Sequence, residues 1–106
     1  MLSTLKKIFG IGPKVDYAVL VKQGAVILDV RSKGEYSGGH IKGSINISVD
    51  ALSKNLAQLK DKSKPIITCC ASGMRSASAK NILKSSGYLN VYNGGSWNGL
   101  QQKIKG

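Results

Sequence analysis

Short, continuous apolar runs separated by amphipathic or polar stretches dominate the chain. Ala25-Val26-Ile27-Leu28-Asp29-Val30 is apolar at every position but one, which predicts a strand buried on both faces. Ser44-Ile45-Asn46-Ile47-Ser48 predicts a second strand, Ile66-Ile67-Thr68-Cys69 a third and Val91-Tyr92-Asn93 a fourth. The intervals read as helices or loops. Asp16 is placed to cap a short helix through Lys22, with Gly24 at its end. Residues 33–39 form a short helical or looped piece ending in Gly38-Gly39, and Asp50 caps a helix whose Leu52, Leu56 and Leu59 fit helical spacing. Ser63-Lys64 turns into Pro65. A further helix runs from about Arg75 to Ser86 and is stopped by Gly87, and Gly94-Gly95 leads into a last one near Trp97 to Ile104. Strands alternating with helices predict one α/β domain with a mainly parallel central sheet flanked by helices.

The length, 106 residues, suits a single domain over residues 14–106. Residues 1–13 read as a short basic and apolar tail. Leu2, Leu5, Ile8 and Phe9 share one helical face beside Lys6 and Lys7, and Gly10, Gly12 and Pro13 end it. The lysines interrupt the apolar stretch and no small-residue cleavage site follows, so a secretory signal is not predicted and the expected compartment is the cytoplasm. So short a segment is a marginal surface anchor, and no run is long enough to span a membrane.

Charge is the feature that stands out. Sixteen Lys plus Arg against five Asp plus Glu give +11 and a pI near 9.9. Such a balance favours anionic partners. The lysines are dispersed, however, and few aromatics are available to stack on bases. A Lys-rich surface is therefore preferred over a nucleic-acid or membrane site.

The two cysteines, Cys69 and Cys70, are adjacent. Adjacent cysteines cannot staple distant loops, and two thiols with one histidine are too few for a zinc site. The chain is read as reduced, with one reactive thiol and no metal or organic cofactor. The segment Cys70-Ala71-Ser72-Gly73-Met74-Arg75-Ser76 joins a buried strand to a helix start. In parallel sheets ligands sit beyond the carboxyl ends of strands. Small residues let this backbone curl with successive N–H groups inward, an anion cradle reinforced by the helix dipole. A cysteine at its centre has a lowered pKa, and the same cradle suits a persulfide or an oxyanion leaving group.

Three blocks of the sequence resemble the rhodanese-homology family. The first is Ile27-Leu28-Asp29-Val30-Arg31, then Glu35-Tyr36, then Gly39-His40-Ile41-Lys42-Gly43-Ser44-Ile45-Asn46. The second is the cysteine loop, similar to the family's C-x-x-G-x-R-S. The third is Val91-Tyr92-Asn93-Gly94-Gly95-Ser96-Trp97. Ser44 stands where Ala is usual and Asn93 where an apolar residue is common. The resemblance implies a rhodanese fold and a single-domain sulfurtransferase. A small anionic donor such as thiosulfate gives its sulfane sulfur to the cysteine, and a thiol or cyanide takes it away. A non-enzymatic persulfide carrier serving a protein relay partner is the alternative role.

Counting from Cys70 gives C-x4-R, the length that the resemblance associates with sulfurtransferases. Counting from Cys69 gives C-x5-R, the length of cysteine-based phosphatase and arsenate-reductase loops. The nucleophile is assigned to Cys70, with the Cys69 reading kept as the alternative. Ala71, Ser72, Gly73, Met74, Arg75 and Ser76 are expected to line the cradle, with Arg75 toward the substrate and Met74 at the rim. Asp29 and Arg31 end a strand near the same sheet edge, where they fix the loop, form a structural ion pair, or (for Arg31) attract the donor. Glu35 pairs locally or braces the loop. His40 is read as a structural hydrogen-bonding residue, since a thiolate made by the cradle needs no base. Trp97 is read as a core anchor or pocket wall.

Overall fold

A computed structural model describes residues 15–105; the predicted tail, residues 1–13, lies outside them. Helix α1 spans Tyr17–Lys22, strand β1 Val26–Asp29, helix α2 Lys33–Ser37 and strand β2 Ile45–Asn46. Two 3-10 segments, Val49–Lys54 and Leu56–Gln58, follow. Strand β3 spans Ile66–Cys70, helix α3 Met74–Ser85, strand β4 Val91–Ser96 and helix α4 Trp97–Lys105. The strands pair in the order β2-β1-β3-β4, all parallel. The predicted α/β architecture is therefore observed, with every strand pair among the described residues parallel rather than mainly so.

β1 and β3, the two central strands, carry the continuous apolar runs, because helices cover both faces of the sheet. One face of the core joins Leu28, Val30, Leu52, Ile66, Cys70, Leu83 and Val91 under α3 and the 3-10 segments. The other joins Ile27, Ile41, Ile67, Cys69 and Leu100, with Tyr17, Leu20 and Trp97 packed on it. Side chains alternate along a strand, so the adjacent cysteines at the end of β3 enter opposite faces of the molecule.

Local chemistry sets the helix starts. Asp16 accepts the Val19 N–H at 3.1 Å, as its position predicts. Ser32 and Glu35 form a reciprocal capping box on α2.

Two expectations need correction. The helix predicted from Asp50 through Leu59 is instead the two 3-10 segments, and Ser48 rather than Asp50 occupies the cap position. Leu52 and Leu59 are still buried. The α-helical ladder gives way at Asn55, whose side-chain amide takes the Ala51 carbonyl at 2.7 Å while its backbone N–H bonds the Leu52 carbonyl at 3.0 Å; the Tyr88 hydroxyl holds the far end of the segment through the Leu59 carbonyl at 2.6 Å. The fourth strand does not stop at Asn93 but continues through Gly94 and Gly95 to Ser96. The two glycines, expected to lead into the last helix, are part of the strand, and Gly94 is required there by close approach. A Cβ at Gly94 would lie 2.8 Å from Ile67 Cγ2, 2.9 Å from the Thr68 carbonyl oxygen and 3.0 Å from Leu100 Cδ2.

No helix among the described residues is long and apolar enough to cross a membrane.

Gly94→Ala therefore overpacks the junction of β3, β4 and α4. The expected destabilisation is about 1–3 kcal/mol, and each kcal/mol lowers Tm by about 4–8 °C in a domain of this size. A thermal melt with an unchanged Tm would contradict the packing described.

Candidate functional site

The site is built where β3 runs out. Ala71, Ser72 and Gly73 carry the chain from Cys70 to the first residue of α3. Gly73 occupies the cap position with φ +104°, a conformation that side chains other than hydrogen rarely permit. That turn aims the Gly73 N–H back at Cys70 Sγ, 2.9 Å away. The Ser76 N–H approaches the same sulfur at 3.4 Å and its hydroxyl oxygen lies at 3.5 Å. Cys70 and Ser76 are both fully buried. Ala71 and Ser72 are exposed, and Met74 on the rim is 79% exposed.

The two thiols have opposite electrostatics. Burial pushes the Cys70 thiol up, but the Ser76 hydroxyl and the N–H groups of Ser76, Gly73 and Ser72 outweigh it, and the net shift is downward. On the other face of β3, burial and then the nearby Asp29 carboxylate push Cys69 up to about 12. Cys69 faces the core with Ile27, Ile67 and Leu100. Both thiols are free.

A polar knot stands beside the cradle. Arg31 donates through Nε to Asp29 Oδ1 at 3.0 Å and through Nη2 to Asp29 Oδ2 at 2.7 Å, with both residues buried. Its Nη2 also donates to the Gly39 carbonyl at 2.6 Å, Nη1 to the Glu35 carbonyl at 3.3 Å, and its guanidinium lies 4.7 Å over the Trp97 ring. Asn46 donates to the Asp29 and Arg31 carbonyls, both at 3.0 Å. Arg31 is thus spent on Asp29 and the chain around α2, not turned toward Cys70 as the donor-attracting reading required. His40 donates from Nδ1 to the Tyr36 carbonyl at 2.8 Å and stacks on the Tyr36 ring at 3.8 Å. Removing one member of a buried pair such as Asp29–Arg31 costs about 3–5 kcal/mol, because the other charge is left alone.

One contact ties this knot to the cysteine loop. Arg75 grips Glu35 with Nη1–Oε1 at 2.7 Å and Nη2–Oε2 at 2.9 Å. Both side chains are more than a third exposed. Arg75 therefore braces the loop against α2, where the sequence had it leaning toward the substrate. Arg75 first, and then the Ser32 backbone and hydroxyl, hold the Glu35 carboxyl down to about 2.

Asn93 and Thr68 join the site without having been assigned to it. Asn93 Oδ1 accepts the Ser76 hydroxyl at 2.6 Å and the Gly95 N–H at 3.0 Å, while Nδ2 donates to the Gly73 carbonyl at 3.3 Å. Thr68 Oγ1 donates to the Ser76 carbonyl at 2.9 Å. The available signal was an asparagine in the middle of a strand, where asparagine is depleted. Among the described residues, no group of three or more His, Cys, Asp or Glu is placed to hold a metal ion.

The sequence matches the Rhodanese-like domain over residues 16–103. The chain belongs to this family. It is 36% identical over 73 residues to the uncharacterized protein YibN of Escherichia coli, covering 67% of this chain and 51% of YibN. It thus spans about half the length of that relative. It is 33% identical over 81 residues to the E. coli thiosulfate sulfurtransferase PspE, covering 74% of this chain and 78% of PspE. Its fold is similar to a structure described as rhodanese with anions from E. coli, with a TM-score of 0.68, 30% identity, and 72% and 91% of the two chains covered. The human single-domain sulfurtransferase TSTD1 is similar at a TM-score of 0.66 and 25% identity, over 81% of this chain and 88% of that one. The rhodanese-like fold is thereby shown for this chain.

The Glu35 carboxyl gives a signed pH prediction. Its folded value of about 2 lies below the ordinary 4.5, so its contribution is fully present above 4.5 and is lost as pH falls toward 2. Glu35→Gln should flatten that part of the acid-unfolding curve by lowering stability slightly near neutrality, the loss being small because the pair is exposed, and the two proteins should converge as pH falls toward 2. Identical acid limbs for the two proteins would mean that the Arg75 bridge is not kept in solution.

Proposed function

We propose that this rhodanese-family domain is a sulfurtransferase that carries sulfur as a Cys70 persulfide. The observation that carries the reading is the Cys70 sulfur, enclosed by the Gly73 and Ser76 N–H groups at the carboxyl end of β3. Relatives named thiosulfate sulfurtransferase support it. The Cys70 thiolate attacks the sulfane sulfur of an anionic donor such as thiosulfate. A new S–S bond forms, the donor's S–S bond breaks, and sulfite leaves with the electron pair. A thiol or cyanide acceptor then attacks the outer sulfur, and Cys70 departs as thiolate. Preorganised N–H donors stabilise the anionic sulfur at each stage, so the step needs neither a metal nor an organic cofactor.

The charge nearest the thiol is balanced rather than positive. Arg75 is matched by Glu35 and Arg31 by Asp29, so neutralisation of the donor falls to backbone dipoles. Ala71, Ser72 and Met74 form the exposed approach. Two free thiols fit a reducing compartment such as the cytoplasm. A protein relay partner in place of free cyanide or a small thiol uses the same persulfide chemistry.

The phosphatase or arsenate-reductase reading through Cys69 loses its support here. Its thiol is pushed up to about 12 and packs into the opposite face of the core. A nucleophile must ionise near neutrality, and Cys69, unlike Cys70, has no N–H groups turned to its sulfur to make it do so.

Cys70→Ser should reduce thiosulfate:cyanide transfer to the uncatalysed background, while Cys69→Ala keeps most of it. After thiosulfate treatment, intact mass should rise by one sulfur atom in wild type and Cys69→Ala but not in Cys70→Ser. Sulfur mapped to Cys69, or aryl-phosphate hydrolysis lost on changing Cys69, would overturn the reading.

A further inference from the structure

Ser76 holds one hydroxyl proton and has several acceptors for it. Its oxygen lies 2.6 Å from Asn93 Oδ1, 3.0 Å from the Gly73 carbonyl and 3.5 Å from Cys70 Sγ. The Asn93 amide is oriented independently of Ser76. The Gly95 N–H at 3.0 Å requires the carbonyl oxygen to face it, and the Gly73 carbonyl at 3.3 Å requires the NH2 on the other side. Asn93 therefore presents an acceptor to Ser76, and two oxygens 2.6 Å apart need a proton between them. Only Ser76 can supply it. With its proton committed there, the Ser76 oxygen offers a lone pair to Cys70. It can accept the Cys70 S–H, but it cannot donate to a thiolate.

We propose that Asn93 is a positioning residue that holds the single Ser76 hydroxyl proton away from Cys70 Sγ at rest, so that the Ser76 hydroxyl joins the backbone N–H groups in stabilising the thiolate only when its O–H turns to the sulfur. Ionisation then consists of two motions. The Cys70 S–H bond breaks and its proton passes to solvent water, and the Ser76 O–H rotates from Asn93 Oδ1 to the sulfur. Asn93 Oδ1 is not orphaned by the rotation, because the Gly95 N–H remains on it. In the persulfide the charge moves to the outer sulfur, Sγ no longer needs the hydroxyl, and the proton can return to Asn93. The arrangement disfavours the bare thiolate relative to the sulfur-loaded form. This proposal rests on the reading of Cys70 as the nucleophile.

Few other groups can produce such an effect. The charged or titratable neighbours are Arg75 on α3 and Cys69 on β3, with Asp29 at the end of β1 and Arg31 just after it behind Cys69. Arg75 is paired with Glu35 of α2, and Asp29 with Arg31. None of them touches Asn93 through a side-chain hydrogen bond. From α1, Tyr17 reaches only the Asn93 backbone carbonyl, at 3.2 Å.

The test is the pH dependence of Cys70 alkylation by iodoacetamide, followed by peptide mapping and without any sulfur donor. It therefore reports on the proton even if the chain proves inactive as a transferase. Asn93→Ala, and Asn93→Leu in parallel because it fills the space, should lower the Cys70 pKa and raise its thiolate fraction below that pKa about fivefold, the worth of one net hydrogen bond. Ser76→Ala, which removes the contested proton, should raise the pKa, and adding Asn93→Ala to it should bring no further fall. A purely structural Asn93 predicts the opposite sign, since a loosened loop takes the Gly73 N–H off the sulfur. A raised pKa in the Asn93 variants, an unchanged one in Ser76→Ala, or a further fall in the double variant would each overturn the proposal.

Discussion

Everything at the carboxyl end of the sheet depends on one residue's backbone, Gly73. Its left-handed φ of +104° turns the chain from β3 into α3 so tightly that its N–H faces the Cys70 sulfur. Its carbonyl meanwhile faces Ser76, Ala77 and Asn93. A side chain at this position would be strained in φ and would sit 3.5 Å from the Gly95 backbone. The same residue thus ends a strand, begins a helix and builds half of the cradle. The cradle's electrostatics are consequently a property of the fold and are in place before any ligand arrives.

Two glycines of β4 complete this constraint. Gly94 lets β4 press against Ile67 and Thr68, and Gly95 brings its N–H to Asn93. The register between β3 and β4 shifts between Thr68 and Cys70, where the sulfur must leave the ladder and face the loop. Packing and chemistry are coupled at this point, because the shift that frees Cys70 also sets Ser76 beside Asn93.

The charged residues divide by role rather than by sign. Both arginines near the site are matched by carboxylates and serve to brace loops. Arg31 fixes the turn after β1 from inside the core, and Arg75 clamps α2 to the cysteine loop from the surface. The high net charge of +11 therefore resides on lysines, while the groups around the Cys70 sulfur are uncharged N–H and O–H dipoles. Dipoles held in a buried setting act on an anionic sulfur without screening by salt, unlike the dispersed lysines.

Much of this was legible in the chain itself. Short, β-branched apolar runs bounded by turn residues read as strands buried on both faces, so the parallel sheet followed from Ala25–Val30 and Ile66–Cys69. The strand-cysteine-glycine-helix order marked the turn that brings the Gly73 N–H to Cys70, because few residue types tolerate that turn. The 3-10 form of the segment through Leu59 was not legible, since leucine spacing does not show that the Asn55 side chain takes the Ala51 carbonyl or that Tyr88, far along the chain, holds the Leu59 carbonyl. The partners of Arg31 and Arg75 were not legible either, because an arginine's reach spans several acceptors and only packing chooses among them. Likewise Asn93 marked itself only as a polar residue in a strand, and its link to Ser76 exists through the pairing of β3 with β4. Sequence determined what is local, namely turn chemistry, burial pattern and which atoms can ionise. Tertiary structure decided which donor meets which acceptor, because hydrogen bonds are satisfied at about 3 Å and that distance is set by elements far apart in the chain.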